Sequence, residues 1–171
     1  MEHLKELIRA VPDFPLPGIL FRDVTPLLRD PSGLRQVTDA LALRWGGAGV
    51  EVVAGVESRG FVFGAPLAMA LGVGFVPVRK PGKLPAERIS RQYALEYGSN
   101  TLELHRDAVD HGQRVLLVDD LLATGGTAKA TVELIEELGG AVVGAAFVIE
   151  LSFLDGRKAL DGYDVDALLT Y

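Results

Sequence analysis

The stretch Arg114–Thr127, RVLLVDDLLATGGT, constrains this chain more than any other. Val115 to Val118 form an apolar run too short for a helix and suited to a buried strand. Asp119 and Asp120 follow, then the small residues Ala123-Thr124-Gly125-Gly126-Thr127, then a helical pattern to about Leu138. A strand, a glycine turn and a helix N-terminus make a device for holding an anion. The first N–H groups of the helix lack intrahelical partners, the dipole is positive at that end, and glycines let the ligand reach the backbone. Neither GxxxxGK[ST] nor GxGxxG occurs in the chain. Two carboxylates beside such a site would repel a phosphate unless they face sugar hydroxyls or a divalent cation. The stretch therefore suits a ligand with a phosphate at one end, hydroxyls in the middle and a metal nearby. The plainer alternative is an ordinary strand-to-helix junction with Asp or Thr as N-cap.

The rest of the chain alternates strand and helix. Strands are expected at 50–55, 74–78, 141–149 and 165–170, with a buried helix over 60–71. Residues 2–9 read as a short amphipathic helix, and the segment from Val11 is too rich in proline for regular structure at its start. A helix runs from Pro31-Ser32 to Trp45, with Ser32 as its cap and Gly46-Gly47 ending it. Residues 79–92 read as a charged loop, and 93–97 with 101–105 as a hairpin around Gly98-Ser99-Asn100. Repeated βα units imply a parallel sheet covered on both faces, with the ligand site at the carboxyl ends of its strands. That rule requires polar tips after the apolar runs, and Val56–Gly60, Arg79–Lys83 and Asp119–Thr127 supply them.

A length of 171 residues, 49% of them hydrophobic, suits one globular domain over 1–171. The net charge of −6 argues against general nucleic-acid or anionic-membrane binding. Phe61–Val78 is uncharged for eighteen residues, but Pro66, Pro77 and Gly64, Gly72 and Gly74 divide it into a buried helix, a turn and a strand rather than a membrane span. The chain has no cysteine and MEHLKELIRAV lacks a hydrophobic signal region, so a reducing, cytoplasmic setting is expected. His3, His105 and His111 are too scattered for a metal cluster. Within this acidic chain Arg79, Lys80, Lys83, Arg88 and Arg91 face a single acid, Glu87, across residues 79–91. Joined by Arg59 from the neighbouring tip, they suit a pyrophosphate, although a solvated charged loop is the simpler alternative.

FPLPGILFRDVTPLL, ESRGF, VPVRKPGKLP, YALEYGSNTLELH, VLLVDDLLATGGT and GYDVDALLTY occur in that order along essentially the whole chain. In sequence and order they resemble the adenine phosphoribosyltransferases, a branch of the type I phosphoribosyltransferases. DDLLATGGT is shared broadly with relatives that use other bases; the LEYG hairpin and the FPxPGxxFRD segment mark the adenine branch. The resemblance implies an α/β fold with a central five-stranded parallel sheet flanked by helices. It adds a small N-terminal hood over about 1–30 and a flexible β-hairpin lid over about 79–105.

The implied reaction, a step of purine salvage, transfers ribose 5-phosphate from phosphoribosyl pyrophosphate to N9 of adenine, giving AMP and pyrophosphate. The resemblance puts the 5′-phosphate on Ala123, Thr124, Gly125, Gly126 and Thr127. Asp119 and Asp120 would hold the ribose hydroxyls and help place Mg²⁺ through water, the metal binding mainly to substrate. Ser58, Arg59, Lys80 and Lys83 would meet the pyrophosphate, with a cis peptide between Glu57 and Ser58. Arg79 joins them or reaches a neighbouring subunit's site, which implies a homodimer. Leu20, Phe21 and Arg22 would read adenine, largely through backbone groups, Glu96 would face N7/N9 and Tyr97 would close the lid. Two alternatives stay open. A 6-oxopurine could be the base, although Glu150–Phe153 offers no lysine for its O6 and the next is Lys158. The chain could instead be a regulator that senses phosphoribosyl pyrophosphate, although it has neither a spare DNA-binding module nor a basic face.

Overall fold

A computed structural model describes residues 1–94 and 99–171. Its centre is a parallel sheet of β3 (Val52–Val56), β4 (Gly74–Val78), β7 (Arg114–Leu122), β8 (Ala141–Glu150) and β9 (Val165–Thr170), in the order β4-β3-β7-β8-β9. Alternate side chains leave opposite faces of a strand, and here both faces are dry. Val53, Leu116, Val118, Ala146 and Val148 pack with Leu41, Trp45, Phe63 and Leu67 of helices α2 (Pro31–Trp45) and α3 (Arg59–Leu71). On the other face, Val52, Ala54 and Val115 meet Ala130, Leu134 and Ile135, while Leu117, Ala145 and Phe147 meet Ala128 and Val132, all from helix α4 (Gly126–Glu137). Burial on both faces is why these strands read as unbroken apolar runs.

Two small antiparallel sheets are appended. Strand β1 (Arg9–Pro12) pairs with β2 (Leu20–Asp23), and β5 (Arg88–Ala94) pairs with β6 (Ser99–His105). Sequence reasoning missed β1 and β2. Their proline-dense connection is closed by Asp13, whose Oδ1 accepts the Gly18 N–H at 2.7 Å, and Pro12 sits in a two-stranded ribbon where its missing donor is tolerated. The Phe14–Pro15 peptide in this connection is cis. The hairpin also differs from expectation. Ala94 pairs with Ser99 and Tyr93 with Asn100, so the last two residues of the expected turn lie in strand, and the first arm begins at Arg88 rather than Tyr93.

At the N-terminus, Glu2–Leu7 forms a 3-10 helix rather than an amphipathic α-helix, and the short helix α1 (Thr25–Arg29) precedes α2. Asp30 rather than Ser32 caps α2. With Pro31 as its first residue the cap moves back one place, and Asp30 Oδ1 accepts the Gly33 N–H at 2.7 Å. Two further 3-10 turns, Ser152–Leu154 and Gly156–Leu160, link β8 to β9. Among the described residues, no helix is long and apolar enough to cross a membrane.

Candidate active site

A cavity of about 300 Å³ opens at the carboxyl ends of β3 and β7, where the strand-tip rule requires it. It is lined by Val56–Arg59, Lys80, Tyr93, Leu102, the run Asp119–Ala128 and Phe147. One correction concerns its floor. Asp119 and Asp120 do not follow the strand but lie within β7, because its ladder with β8 continues through Asp119 opposite Phe147 to Leu122 opposite Glu150. The two carboxylates are thus held by the sheet, with no loop freedom.

Asp120 shares a strand face with Leu116 and Val118, towards α3, and there it forms an ion pair with Arg59 at the start of that helix. The Arg59 guanidinium carbon in turn lies 5.5 Å from the centre of the Phe21 ring. Asp119 Oδ1 accepts the Asp120 N–H at 2.9 Å. A Cβ on Gly60 would fall 2.7 Å from the Val118 carbonyl and 3.0 Å from Asp119 Oδ1, so glycine there lets α3 approach the carboxylates closely. Burial, then the neighbouring charge of Asp120, holds the Asp119 carboxyl well above the ordinary carboxylate range. A cation entering the cavity would draw it down again.

The glycine turn opens helix α4, as the sequence pattern implies. Gly125 is the N-cap of α4 with φ +84°, a conformation costly for other residues, and no side chain caps the helix. The first N–H groups of α4 therefore have no side-chain partner. The turn is braced from behind by Gly156. A Cβ on Gly125 would lie 2.4 Å from the Gly156 carbonyl, and one on Gly156 would lie 2.2 Å from the Ala123 carbonyl.

Of the expected residues, the structure gathers Ser58, Arg59, Lys80, Asp119, Asp120 and Ala123–Thr127 around the cavity, and the Glu57–Ser58 peptide is cis. Arg79 and Lys83 do not line it. Arg79 donates through Nε to Glu57 at 3.2 Å and through its guanidinium to the Lys83 carbonyl at 3.4 Å, and Lys83 is exposed. Glu57 also accepts the Lys80 N–H at 2.8 Å. Leu20, Phe21 and Arg22 lie on β2 beside the cavity rather than in its wall. Phe21 meets Phe14 edge-to-face at 5.1 Å, Leu20 is exposed, and Arg22 stacks 3.8 Å over the Tyr171 ring. Glu96 and Tyr97 lie outside the described residues. Sequence reasoning missed Tyr93 and Gly156. The alternation of Ile89, Arg91 and Tyr93 could have placed Tyr93 on the inner side of the hairpin, but no local signal marks Gly156.

A model of the phosphoribosyl transferase domain matches residues 26–168. An adenine phosphoribosyltransferase of Solibacter usitatus is 59% identical over 171 residues, covering all of this chain and 99% of its own length. The chain belongs to the adenine phosphoribosyltransferase family. The crystal structure of the adenine phosphoribosyltransferase from Thermoanaerobacter pseudethanolicus superposes with a TM-score of 0.97 at 56% identity, covering 99% of this chain and 98% of that one. That from Saccharomyces cerevisiae, complexed with an imino-altritol bisphosphate and adenine, superposes with a TM-score of 0.93 at 45% identity, covering 98% and 97%. The fold is accordingly that of the type I phosphoribosyltransferases, the family's five-stranded parallel sheet included.

Proposed function

We propose that this chain works in purine salvage, transferring the 5-phosphoribosyl group from phosphoribosyl pyrophosphate to N9 of adenine with release of AMP and pyrophosphate. The observation that carries this reading is one cavity in which an uncapped glycine turn, two sheet-held carboxylates and the cations Arg59 and Lys80 converge, in a chain 59% identical to an adenine phosphoribosyltransferase throughout its length.

In this reading Ala123–Thr127 bind the 5′-phosphate with backbone N–H groups and hydroxyls, and Asp119 and Asp120 hold the ribose hydroxyls. Breaking the C1′–O bond leaves positive charge on the sugar and negative charge on the pyrophosphate. Carboxylates beneath the sugar and cations at the leaving group match that separation, and groups already in place cost no reorganisation when the charge develops. Arg59 and Lys80 attend the pyrophosphate with the backbone at Ser58. Arg59 must exchange its contact with Asp120 to do so, leaving Asp120 for the sugar. Lys83 and Arg79 join only if residues 79–83 turn inward, or act towards a second subunit of a homodimer.

The neighbouring carboxylates are hard oxygen donors, which fit Mg²⁺ held chiefly by substrate and water. When bound, Mg²⁺ supplies charge neutralisation at the pyrophosphate. Adenine then lies between the cavity and β2, near Phe21 and the backbone of Leu20–Arg22, with Glu96 at N7/N9 and Tyr97 over the site. Residues 1–171 act as one catalytic domain, with a hood over about 1–30 and a hairpin over about 79–105. We place it in the cytoplasm, which suits a chain without cysteine.

The test supplies phosphoribosyl pyrophosphate and Mg²⁺ with adenine, guanine, hypoxanthine or xanthine separately, with Glu96→Ala run alongside. AMP from adenine alone, largely lost in the variant, is expected. Turnover of a 6-oxopurine instead would refute the assignment of the base.

A further inference from the structure

We propose that Tyr93 is a positioning residue of the phosphate loop: its hydroxyl sets the Thr127 side chain and ties occupancy of the loop to the β5 arm of the hairpin. The inference rests on the reading of Ala123–Thr127 as the 5′-phosphate site. Thr127 Oγ1 donates to the Tyr93 hydroxyl at 3.1 Å, and both residues line the cavity. This contact joins residues 34 apart in sequence, from two elements that share no backbone ladder.

The rest of β5 follows the same helix. Ile89, Arg91 and Tyr93 alternate onto one face of the strand. Ile89 is buried in the cluster that contains Leu134 and Ile135 of α4. Arg91 pairs with Glu133 at 3.4 Å and with Glu137 at 2.6 Å on that helix. The hairpin arm therefore lies along the helix whose first turn would hold the phosphate, and Tyr93 is its contact at that end.

Proton supply explains why a hydroxyl pair matters there. Each hydroxyl carries one hydrogen and can accept others, whereas a phosphate oxygen in this site only accepts. While Thr127 donates to Tyr93, its hydrogen is not available to an anion. Once phosphate arrives, one of the pair must donate to it and the other must support the donor. Tyr93 then donates to Thr127, and Thr127 turns its own hydrogen to the phosphate. This arrangement needs the phenolic hydroxyl and tightens β5 against the loop through a polarised chain of bonds.

Tyr93→Phe removes that hydroxyl and keeps the ring. The expected result is a loss of roughly 3- to 10-fold in kcat/KM for phosphoribosyl pyrophosphate, the scale of one hydrogen bond, with KM for adenine unchanged. In a Thr127→Val background the same change should have no further effect, since the pair acts as a unit. Hydrogen exchange with ribose 5-phosphate as probe supplies the second readout. In the wild type the probe should protect amides of 123–131 and of both hairpin arms, 88–94 and 99–105. In Tyr93→Phe the protection of the arms should fall away. Wild-type kinetics in Tyr93→Phe, or the same factor with and without Thr127→Val, would overturn the proposal. So would a protected loop with unprotected arms in the wild type, leaving the phosphate site intact. An unprotected loop in the wild type would instead overturn the phosphate-site reading and the proposal with it.

Discussion

Replacing Gly156 by alanine tests whether the loop proposed to hold the 5′-phosphate owes its shape to the segment behind it. The backbone φ at Gly156 is not positive, so alanine meets no intrinsic conformational barrier there and the effect comes from contact alone. The new Cβ would lie 2.2 Å from the Ala123 carbonyl oxygen and 3.0 Å from Leu122 Cγ and Cδ1. Ordinary packing requires about 1 Å more, and a close-packed interior cannot absorb that by compression. Either the loop or the 3-10 segment must move. Overpacking of this kind costs about 1–3 kcal/mol. For a chain of this length that is a fall in Tm of roughly 2–12 °C.

The functional effect should be of similar size in free energy but selective. A misplacement of about 1 Å can cost 10²-fold, and with the shift shared between two segments a loss of roughly 10- to 100-fold in kcat/KM for phosphoribosyl pyrophosphate is expected. KM for adenine at saturating phosphoribosyl pyrophosphate should stay within about 3-fold. Gly47→Ala is the control, since nothing lies within 4 Å of its added Cβ. The assay follows AMP formation while each substrate is varied, with thermal unfolding measured in parallel. Wild-type kinetics and Tm in Gly156→Ala would refute the idea that the segment braces the loop. Equal losses for both substrates would show general unfolding instead.

Other expectations follow from packing and charge. Gly144→Ala would put a Cβ 2.1 Å from the Trp45 ring and should destabilise by about 1–3 kcal/mol, read in denaturant through the fluorescence of Trp45, the only tryptophan. Burial pushes the Glu57 carboxyl up, but the Lys80 N–H and the Arg79 guanidinium outweigh it and hold the group below its ordinary value of 4.5. Its contribution to stability is therefore full above 4.5 and lost as pH falls through the lowered value, so Glu57→Gln should show a shallower acid loss of stability in that range. The Tyr163 hydroxyl, held by Glu136 at 2.6 Å, is pushed up from 10.0 to about 12, first by that bond and then by burial. Its contribution is full below pH 10 and lost as pH rises towards about 12, so Tyr163→Phe should unfold less steeply with pH across that window, followed by circular dichroism.

The sheet was legible because its strands are buried on both faces, which leaves apolar runs such as Val115–Val118 that no surface element would carry. The glycine turn between β7 and α4 was legible because strand end, glycines and helix start are contiguous in sequence. The end of β7 was misjudged because hydrophobicity stops at Val118, while hydrogen bonding to β8 carries the strand on to Leu122. Strands β1 and β2 escaped because their order comes from pairing with each other around prolines, not from local periodicity. Tyr93 and Gly156 act through residues 34 and 33 positions away, at Thr127 and Ala123, and no short pattern encodes that distance.

The inclusion of Asp119 and Asp120 in β7 divides the molecule into two regimes of tolerance. The carboxylates proposed to hold the sugar are built into the central parallel ladder, so a change that shifts them must disturb the core as well. The region assigned to the base draws on β2, a strand of a two-stranded ribbon, and on the hairpin, which can be altered while the ladder stays as it is. A lineage on this scaffold can therefore exchange the base it accepts by editing appended pieces, while the chemistry at C1′ is inherited unchanged.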